Sequence, residues 1–388
     1  MTGFEEIRAL FPTTRNIVYA NTAARNLISE PVNRAITEYL RQRQMGTADK
    51  SEWFVRVEKV RDKMARLIGA DPVEIAFVKN TSDGINGAAL AQDWKPGDNV
   101  IIVPDFEHPS NIYVWLGLKR LGVEVRTLDL DGPVVTIRQL EQAVDRRTRL
   151  VAIASVSFST GGRVDLAAIG RFCKQQGIFL VVDAVQSLGV LSLDVNKTGV
   201  PALASATSKG LLGLYGMGVL YYKKEYAERI HPAYLGRYSI DMGGQHEQFM
   251  GDFGYELAPG AKRFEIGNYN YLAIHALDVA LDHILDLGID RIERHVLSLT
   301  EALTNGALEL GYGVKSALEV DSMSHIVCLV PGDGMPPVTR LSNCLDQDQI
   351  RHSVRRDALR LSFHVYNNTD DVEAILEALK QARDGTAG

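Results

Sequence analysis

Cysteine is scarce in this chain. Its 388 residues hold three, Cys173, Cys328 and Cys344, far apart and without a C-x-x-C pair. That argues against a disulfide framework and against a cysteine-built metal site, so no metal is expected. Cys173 falls in a helical pattern and Cys328 in the apolar run Ile326-Val327-Cys328-Leu329-Val330, where a thiol serves as a small core residue. There is no apolar run of about 18 residues, the length a spanning helix needs. The start, Met1-Thr2-Gly3-Phe4-Glu5-Glu6, lacks the basic and apolar regions of a signal peptide. No G-x-G-x-x-G follows the first strand, which disfavours a nucleotide-binding α/β protein. A net charge of −6 offers no footprint for nucleic acid or an acidic membrane surface. These absences lead to the expectation of a cytoplasmic protein that binds neither nucleic acid nor membrane. Its length points to more than one domain, and its 46% apolar content to a large core.

What is present centres on the segment from Ile178 to Tyr222. Ile178-Phe179-Leu180-Val181-Val182 is short, apolar and β-rich, the pattern of a parallel strand buried on both faces. It stops at Asp183, where open α/β sheets bind ligands, and Gln186 follows three residues later. Ala202-Leu203-Ala204-Ser205-Ala206 reads as a second strand ending in Thr207-Ser208-Lys209-Gly210. A glycine-rich turn, Gly213 to Gly218, then leads into Val219-Leu220-Tyr221-Tyr222. A lysine at a strand-to-loop junction is placed to form a Schiff base with an aldehyde cofactor. A carboxylate held against a pyridine nitrogen keeps that nitrogen protonated, as the electron sink of pyridoxal phosphate (PLP) requires. Gln186 is placed to donate to the ring's phenolic oxygen. Singly, Asp183 also fits a helix cap and Lys209 a solvated side chain; their order and spacing carry the reading.

Val182-Asp183-Ala184-Val185-Gln186, followed by Ser208-Lys209-Gly210 and Gly216-Met217-Gly218, resembles the class V aminotransferase family of fold-type I PLP enzymes. That family includes cysteine desulfurases, cystine lyases and isopenicillin N epimerase. The resemblance implies an α/β fold: a large PLP-binding domain, residues 17–270, with a mostly parallel seven-stranded sheet. A smaller α/β C-terminal domain, formed by 1–16 and 271–388, completes it. It also implies PLP as cofactor, an amino-acid substrate and a homodimer with shared active sites.

Other stretches acquire roles through the same resemblance. Ile75-Ala76-Phe77-Val78 reads as a strand whose hydroxyl-rich turn opens a helix. Backbone N–H groups at such a turn suit a phosphate, and the family counterparts of Thr81 and Ser82 grip the PLP phosphate; both residues equally fit ordinary helix caps. Asp83 is expected to cap backbone N–H groups instead. His108, after the strand Asn99 to Val103, matches a histidine that lies on the cofactor ring and relays protons. Thr207 and Ser208 are further cofactor-binding candidates, although many relatives have histidine at the position of Ser208. Phe158 stands where the desulfurase branch has asparagine, which removes one polar contact to the phenolic oxygen. The loop containing Asn21 and Ala23 matches the active-site mouth, and also fits a surface turn. The family counterpart of Asn268 is a threonine that reaches the neighbouring subunit's phosphate; a helix cap before Tyr271 is the other reading. Arg360, in Leu359-Arg360-Leu361-Ser362, matches the substrate-carboxylate clamp, a job suited to a planar guanidinium. Arg355 either supports it, touches phosphate or is surface charge.

Desulfurases also carry a small-domain loop with a nucleophilic cysteine. Here only four residues separate Arg355 from Arg360, and that loop is missing. The expectation is therefore a PLP-dependent lyase that forms a carbanion on an α-amino acid and completes β-elimination of the C–S lyase type without a catalytic cysteine. The alternatives are an epimerase or racemase, an aminotransferase, a cysteine desulfurase, or a non-catalytic PLP-binding scaffold. Replacing Cys173, Cys328 and Cys344 together by alanine or serine is accordingly expected to leave turnover largely intact, because a sulfur-accepting thiolate needs an exposed, electropositive setting. An inactive but folded, yellow triple variant, with alanine formed from cysteine by the parent, would instead establish desulfuration.

Overall fold

The computed structural model describes residues 3–241 and 254–385. Residues 242–253, part of the polar, Gly-rich stretch 231–260 whose lack of periodicity reads as a long loop or linker, therefore lie outside the described residues. Seven strands form the main sheet: β1 (Ile75–Val78), β2 (Asn99–Ile102), β3 (Glu124–Thr127), β4 (Thr148–Ala154), β5 (Phe179–Asp183), β6 (Ala202–Ala206) and β7 (Gly218–Tyr222). Their order is β1-β7-β6-β5-β4-β2-β3. Adjacent strands from β6 to β3 are parallel, while β7 runs antiparallel to both β6 and β1. The reversal has a local cause. The 207–217 connection contains no helix to carry the chain back across the sheet, so β7 returns beside β6 in the opposite sense. The mostly parallel seven-stranded sheet expected from the resemblance is what the structure contains.

The carboxyl ends of β1, β2, β4, β5 and β6 lie along one edge, and 79–82, 103–108, 155–162, 183–186 and 207–210 leave from it. That edge is where such sheets bind ligands. Helix Thr81–Leu90 packs directly on β6: a Cβ added at Gly84 would lie 2.8 Å from the Cβ of Ala204, so only glycine permits this approach.

A second, four-stranded antiparallel sheet is built from Gly313–Val314, Ile326–Val330, Ala358–Ser362 and Ser353–Arg355, in that spatial order. Arg360 is paired with Cys328 on one side and Ser353 on the other. The run 350–354, which from its sequence reads as one strand, is divided between two. Ile350–Arg351 pairs in parallel with Val18–Tyr19, and Ser353–Arg355 joins the small sheet. Between them the His352 carbonyl accepts from Asn21 Nδ2 at 2.8 Å, an interaction with a distant segment that local pattern does not encode. The lead-in is tied to the C-terminal part by Arg8, whose guanidinium donates to Asp371 at 2.8 and 2.9 Å.

Helices Glu30–Met45, Lys50–Ile68 and Tyr271–Leu287 pack together. One buried ion pair locks this layer to the sheet. Arg61 and Glu265, both essentially inaccessible, meet at 2.8 and 3.2 Å. Glu265 also accepts from the Phe77 N–H at 2.7 Å and the Tyr269 hydroxyl at 2.6 Å, and Arg61 donates to the Ile75 carbonyl at 2.6 Å. Among the described residues no helix is long and apolar enough to cross a membrane. Glu265→Ala, which leaves the buried Arg61 only the half-exposed Glu58 at 3.2 Å and strips the Phe77 N–H of its acceptor, is expected to cost about 3 kcal/mol of stability. Urea unfolding with the parent midpoint would refute that role.

Candidate active site

Asp183 ends β5 fully enclosed, with one carboxylate oxygen accepting the Val185 N–H at 3.0 Å. Burial pushes its pKa up to about 6, opposed by that N–H and by the charge of Lys209. Lys209 is half-buried on the loop after β6. Burial pushes its pKa down to about 8; Asp183 opposes the shift, and Arg360 and Arg355 add to it. The sheet thus brings the two residues singled out first within electrostatic range of each other, together with both arginines.

Gln186 is buried, donates through Nε2 to the Ala23 carbonyl at 3.1 Å, and leaves its Oε1 with no partner among the described residues. This contact draws the 21–24 loop into the site. Ala23 N–H donates to Ser362 Oγ at 2.9 Å, and Asn21 forms a parallel bridge with Ser362. Thr207 is inaccessible, and its hydroxyl lies 2.7 Å from the Leu214 carbonyl and 3.2 Å from that of Met217; its work is to shape the lysine loop. Ser208 is buried beside it.

Arg360 is 1% exposed. Nε donates to Ser353 Oγ at 3.1 Å and Nη1 to the Phe158 carbonyl at 2.6 Å, while the buried Nη2 has no partner among the described residues. Burial, with the charge of Arg355, pushes its pKa down to about 10, so it stays charged near neutrality. Arg355 is half-buried and donates to the Val354 carbonyl at 2.9 Å. His108 is exposed, takes the Ser110 N–H on Nδ1 at 3.2 Å, and meets Phe158 edge-on at 5.2 Å. Desolvation by its surroundings, then the charges of Lys209, Arg355 and Arg360, holds its pKa below the ordinary value.

Thr81 and Ser82 open helix Thr81–Leu90, whose N-cap is Asn80, accepting from the Asp83 N–H at 2.9 Å. Asp83 accepts the Lys79 N–H at 2.9 Å, as expected of a capping carboxylate. Asn268 borders the same turn from outside. It is exposed, accepts from the Tyr238 hydroxyl at 3.2 Å, and lines a cleft of about 350 Å³ with Lys79, Asp83 and Gly216.

Sequence reading missed three residues at the site. Glu107, beside His108, is buried and accepts from the Ala154 N–H at 2.5 Å and Asn111 Nδ2 at 2.7 Å, fastening the histidine loop to the end of β4. Burial first, and then the charge of Asp183, pushes its pKa well above the usual carboxylate range. Asn26 and His364 each take a carbonyl next to Lys209, by hydrogen bonds of 3.1 and 2.8 Å. A loop glutamate normally reads as solvated, and no local pattern signals the other two.

The unpaired Arg360 Nη2 suits an anionic substrate, and a buried carboxylate within electrostatic range of a half-buried lysine suits an aromatic aldehyde with a ring nitrogen; Gln186 has its second Nε2 hydrogen, and not the unpaired Oε1, to offer a phenolic oxygen. Fold and site together define a fold-type I PLP-dependent enzyme. The family model for class V aminotransferases matches residues 18–375, and the chain belongs to that family. It is 31% identical to a probable cysteine desulfurase of Methanothermobacter thermautotrophicus, with 97% of each chain covered. Among solved structures, an apo cysteine desulfurase of Thermococcus onnurineus NA1 is 27% identical with a TM-score of 0.88 over 99% of both chains. The cystine C–S lyase C-DES, solved with its product cysteine persulfide, superposes at 0.86 over 96% of this chain and 99% of its own; at 22% identity it supports the fold alone.

Because the Asp183 pKa lies above the unfolded value of about 4, its contribution to stability is present below that pH and lost as pH rises through 6. Asp183→Asn is therefore expected to stabilise the cofactor-stripped protein at pH 7–8 by about 1–3 kcal/mol, the excess vanishing below about pH 4. Thermal unfolding across that range is the check; a variant less stable at pH 8 than at pH 4, relative to the parent, would reverse the sign.

Proposed function

We propose that this enzyme removes a sulfur leaving group from a cysteine-like α-amino acid by β-elimination, with no cysteine of its own in the reaction. The observation that carries the reading is the connection between Ser353–Arg355 and Ala358–Ser362. It is a two-residue hairpin, Arg356-Asp357, with Arg356 at φ 54°, and has no room for a swinging thiol. All three cysteines are buried. Burial pushes the Cys173 thiol up to about 12. Cys328, across from Arg360, donates to the Ser159 carbonyl at 3.1 Å, and burial pushes its thiol up to about 11. At neutral pH it is a protonated side chain rather than a nucleophile. The relatives named cysteine desulfurases keep desulfuration as the second reading.

In this reading Lys209 holds the cofactor aldehyde and, once displaced by substrate, takes up the α-proton; a pKa near 8 suits an amine that must both accept and return a proton. PLP, when bound, supplies the electron sink for the resulting carbanion. Asp183 would hold the ring nitrogen protonated, and Gln186 would donate its second Nε2 hydrogen to the phenolic oxygen. His108 would lie against the ring. Thr81 and Ser82, at the helix N-terminus, receive the phosphate, aided by Ser208 and by the Thr207-shaped loop. Arg360 takes the substrate carboxylate through Nη2, Arg355 supports it, and Asn21 and Ala23 form the mouth. Asn268, turned outward, reaches the phosphate of a partner subunit in a homodimer with shared sites. We place the reaction in the cytoplasm, and the two domains at 17–270 and at 1–16 with 271–388.

Incubation with cystine and with cysteine is expected to give equal amounts of pyruvate and ammonia with a released persulfide or sulfide, and borohydride to fix the cofactor to Lys209 in a tryptic map. Alanine as the product would sink the elimination, and an adduct on another lysine the site.

A further inference from the structure

Three consecutive carbonyls flank the reactive lysine, and each is captured. Ser208 O accepts from Asn26 N at 3.1 Å, Lys209 O from Leu212 N at 3.0 Å, and Gly210 O from His364 Nε2 at 2.8 Å. Only the second bond is local. His364 lies 154 residues downstream, in the turn between strand Ala358–Ser362 and helix Thr369–Arg383.

Geometry fixes its tautomer. The Val365 N–H points at Nδ1 from 2.7 Å, so Nδ1 accepts and the proton sits on Nε2, aimed at Gly210. The ring is completely buried, and burial holds its pKa down to about 4, so it stays neutral at working pH. It is also rigidly mounted. Its own N–H donates to Asn367 Oδ1 at 2.9 Å, and Asn367 Nδ2 donates to Asp371 Oδ2 at 2.8 Å and the Tyr19 carbonyl at 3.0 Å. The ring stacks on Tyr366 at 5.6 Å, and the Tyr366 hydroxyl meets Thr22 Oγ1 at 2.5 Å.

The peptide it holds has nowhere else to go. A Cβ on Gly210 would lie 2.4 Å from the Leu188 carbonyl oxygen, and one on Gly189 would lie 2.2 Å from Gly210 O. Arg360 lies on the strand immediately before this turn, so the substrate clamp and the donor to the lysine's loop belong to one rigid piece.

We propose that His364 is a positioning residue for Lys209, a distant hydrogen-bond donor that fixes the peptide from which the reactive amine projects and ties it to the segment bearing Arg360. This rests on the reading of Lys209 as the cofactor-bearing lysine. Removing the donor lets the peptide after Lys209 relax, which alters the proton affinity of the group formed there and the alignment of the free amine with the α-proton. Substrate binding through Arg360 is left nearly unchanged.

The test compares two variants of the holoenzyme. His364→Phe keeps a ring to stack on Tyr366 but cannot donate; His364→Gln places an amide N–H at a reach similar to Nε2. For His364→Phe, kcat is expected to fall about tenfold with KM nearly unchanged, the loss of one hydrogen bond's worth of alignment. The pH midpoint of its visible chromophore is expected to move by about half a unit or more, and His364→Gln to restore both. Should His364→Phe not fold, the contrast is read between His364→Gln and His364→Asn, whose amide stops short of Gly210. A parent-like midpoint and kcat in the donor-less variant, or equal losses with and without the donor, overturn the proposal. Borohydride mapping of the parent separates the two failures: an adduct on Lys209 with no variant effect refutes His364 alone, while an adduct elsewhere overturns the site reading and His364 together.

Discussion

A carboxylate in a dry place is the constraint around which the site is built. Asp183 has left water at the end of a central strand with one backbone N–H as its hydrogen-bond donor. An ionised carboxyl so placed is expensive unless a cation shares its surroundings. Lys209 supplies that charge within the chain, and each group pulls the other's pKa back toward its usual value against burial. Glu107 adds a second buried acid whose own ionisation Asp183 opposes, even though two N–H donors serve it. The arrangement favours any cationic ring nitrogen presented to Asp183, because such a partner removes a penalty already built into the polypeptide.

The second sheet reaches this edge through the backbone of one loop. The carbonyls of Phe158, Ser159 and Gly161 accept from Arg360, Cys328 and Ser324, three side chains on neighbouring strands of the small sheet or at their start. Gly161, at φ 77°, allows the contact, since a Cβ there would lie 2.6 Å from the Ile326 carbonyl oxygen. Phe158 thus gains a structural meaning that its side chain does not suggest. It stands where the desulfurase branch has a polar residue, yet its carbonyl orients the guanidinium and its ring packs edge-on to His108.

What was legible in the sequence follows from what is local. Buried strands announce themselves as short apolar runs, and strand ends as the residue where the run stops; this placed Asp183, Lys209 and the order of the loops. Arg360 was singled out only through the likeness of Leu359-Arg360-Leu361-Ser362 to the family's carboxylate-binding segment. The residues that escaped act at long range. Glu107 looks like any loop acid until the Ala154 N–H is seen to end on it, and Asn26 and His364 show their purpose only once distant segments share the loop of Lys209. The split of 350–354 has the same origin, because Val18–Tyr19 and Ala358–Ser362 compete for adjacent pieces of one extended run.

The division of labour between the two sheets bears on why one site type supports several reactions. Lys209, Asp183 and Gln186 lie on the edge of the large sheet, and in the proposed reading the proton transfer and electron withdrawal assigned to them need fixed geometry. Arg360 lies on the small sheet, on the same strand as Ser362, to which Asn21 and Ala23 are joined. A buried guanidinium N–H without an acceptor costs about 1–3 kcal/mol. In the proposed reading a substrate carboxylate removes that cost as it binds, so the empty clamp is the less stable arrangement and recognition draws on relief of an unmet donor as well as on new contacts. In that reading the same clamp would serve any α-amino acid. Selection among reactions would then fall to what surrounds the departing group, where Phe158 and a protonated, buried Cys328 would stand in place of a mobile thiolate.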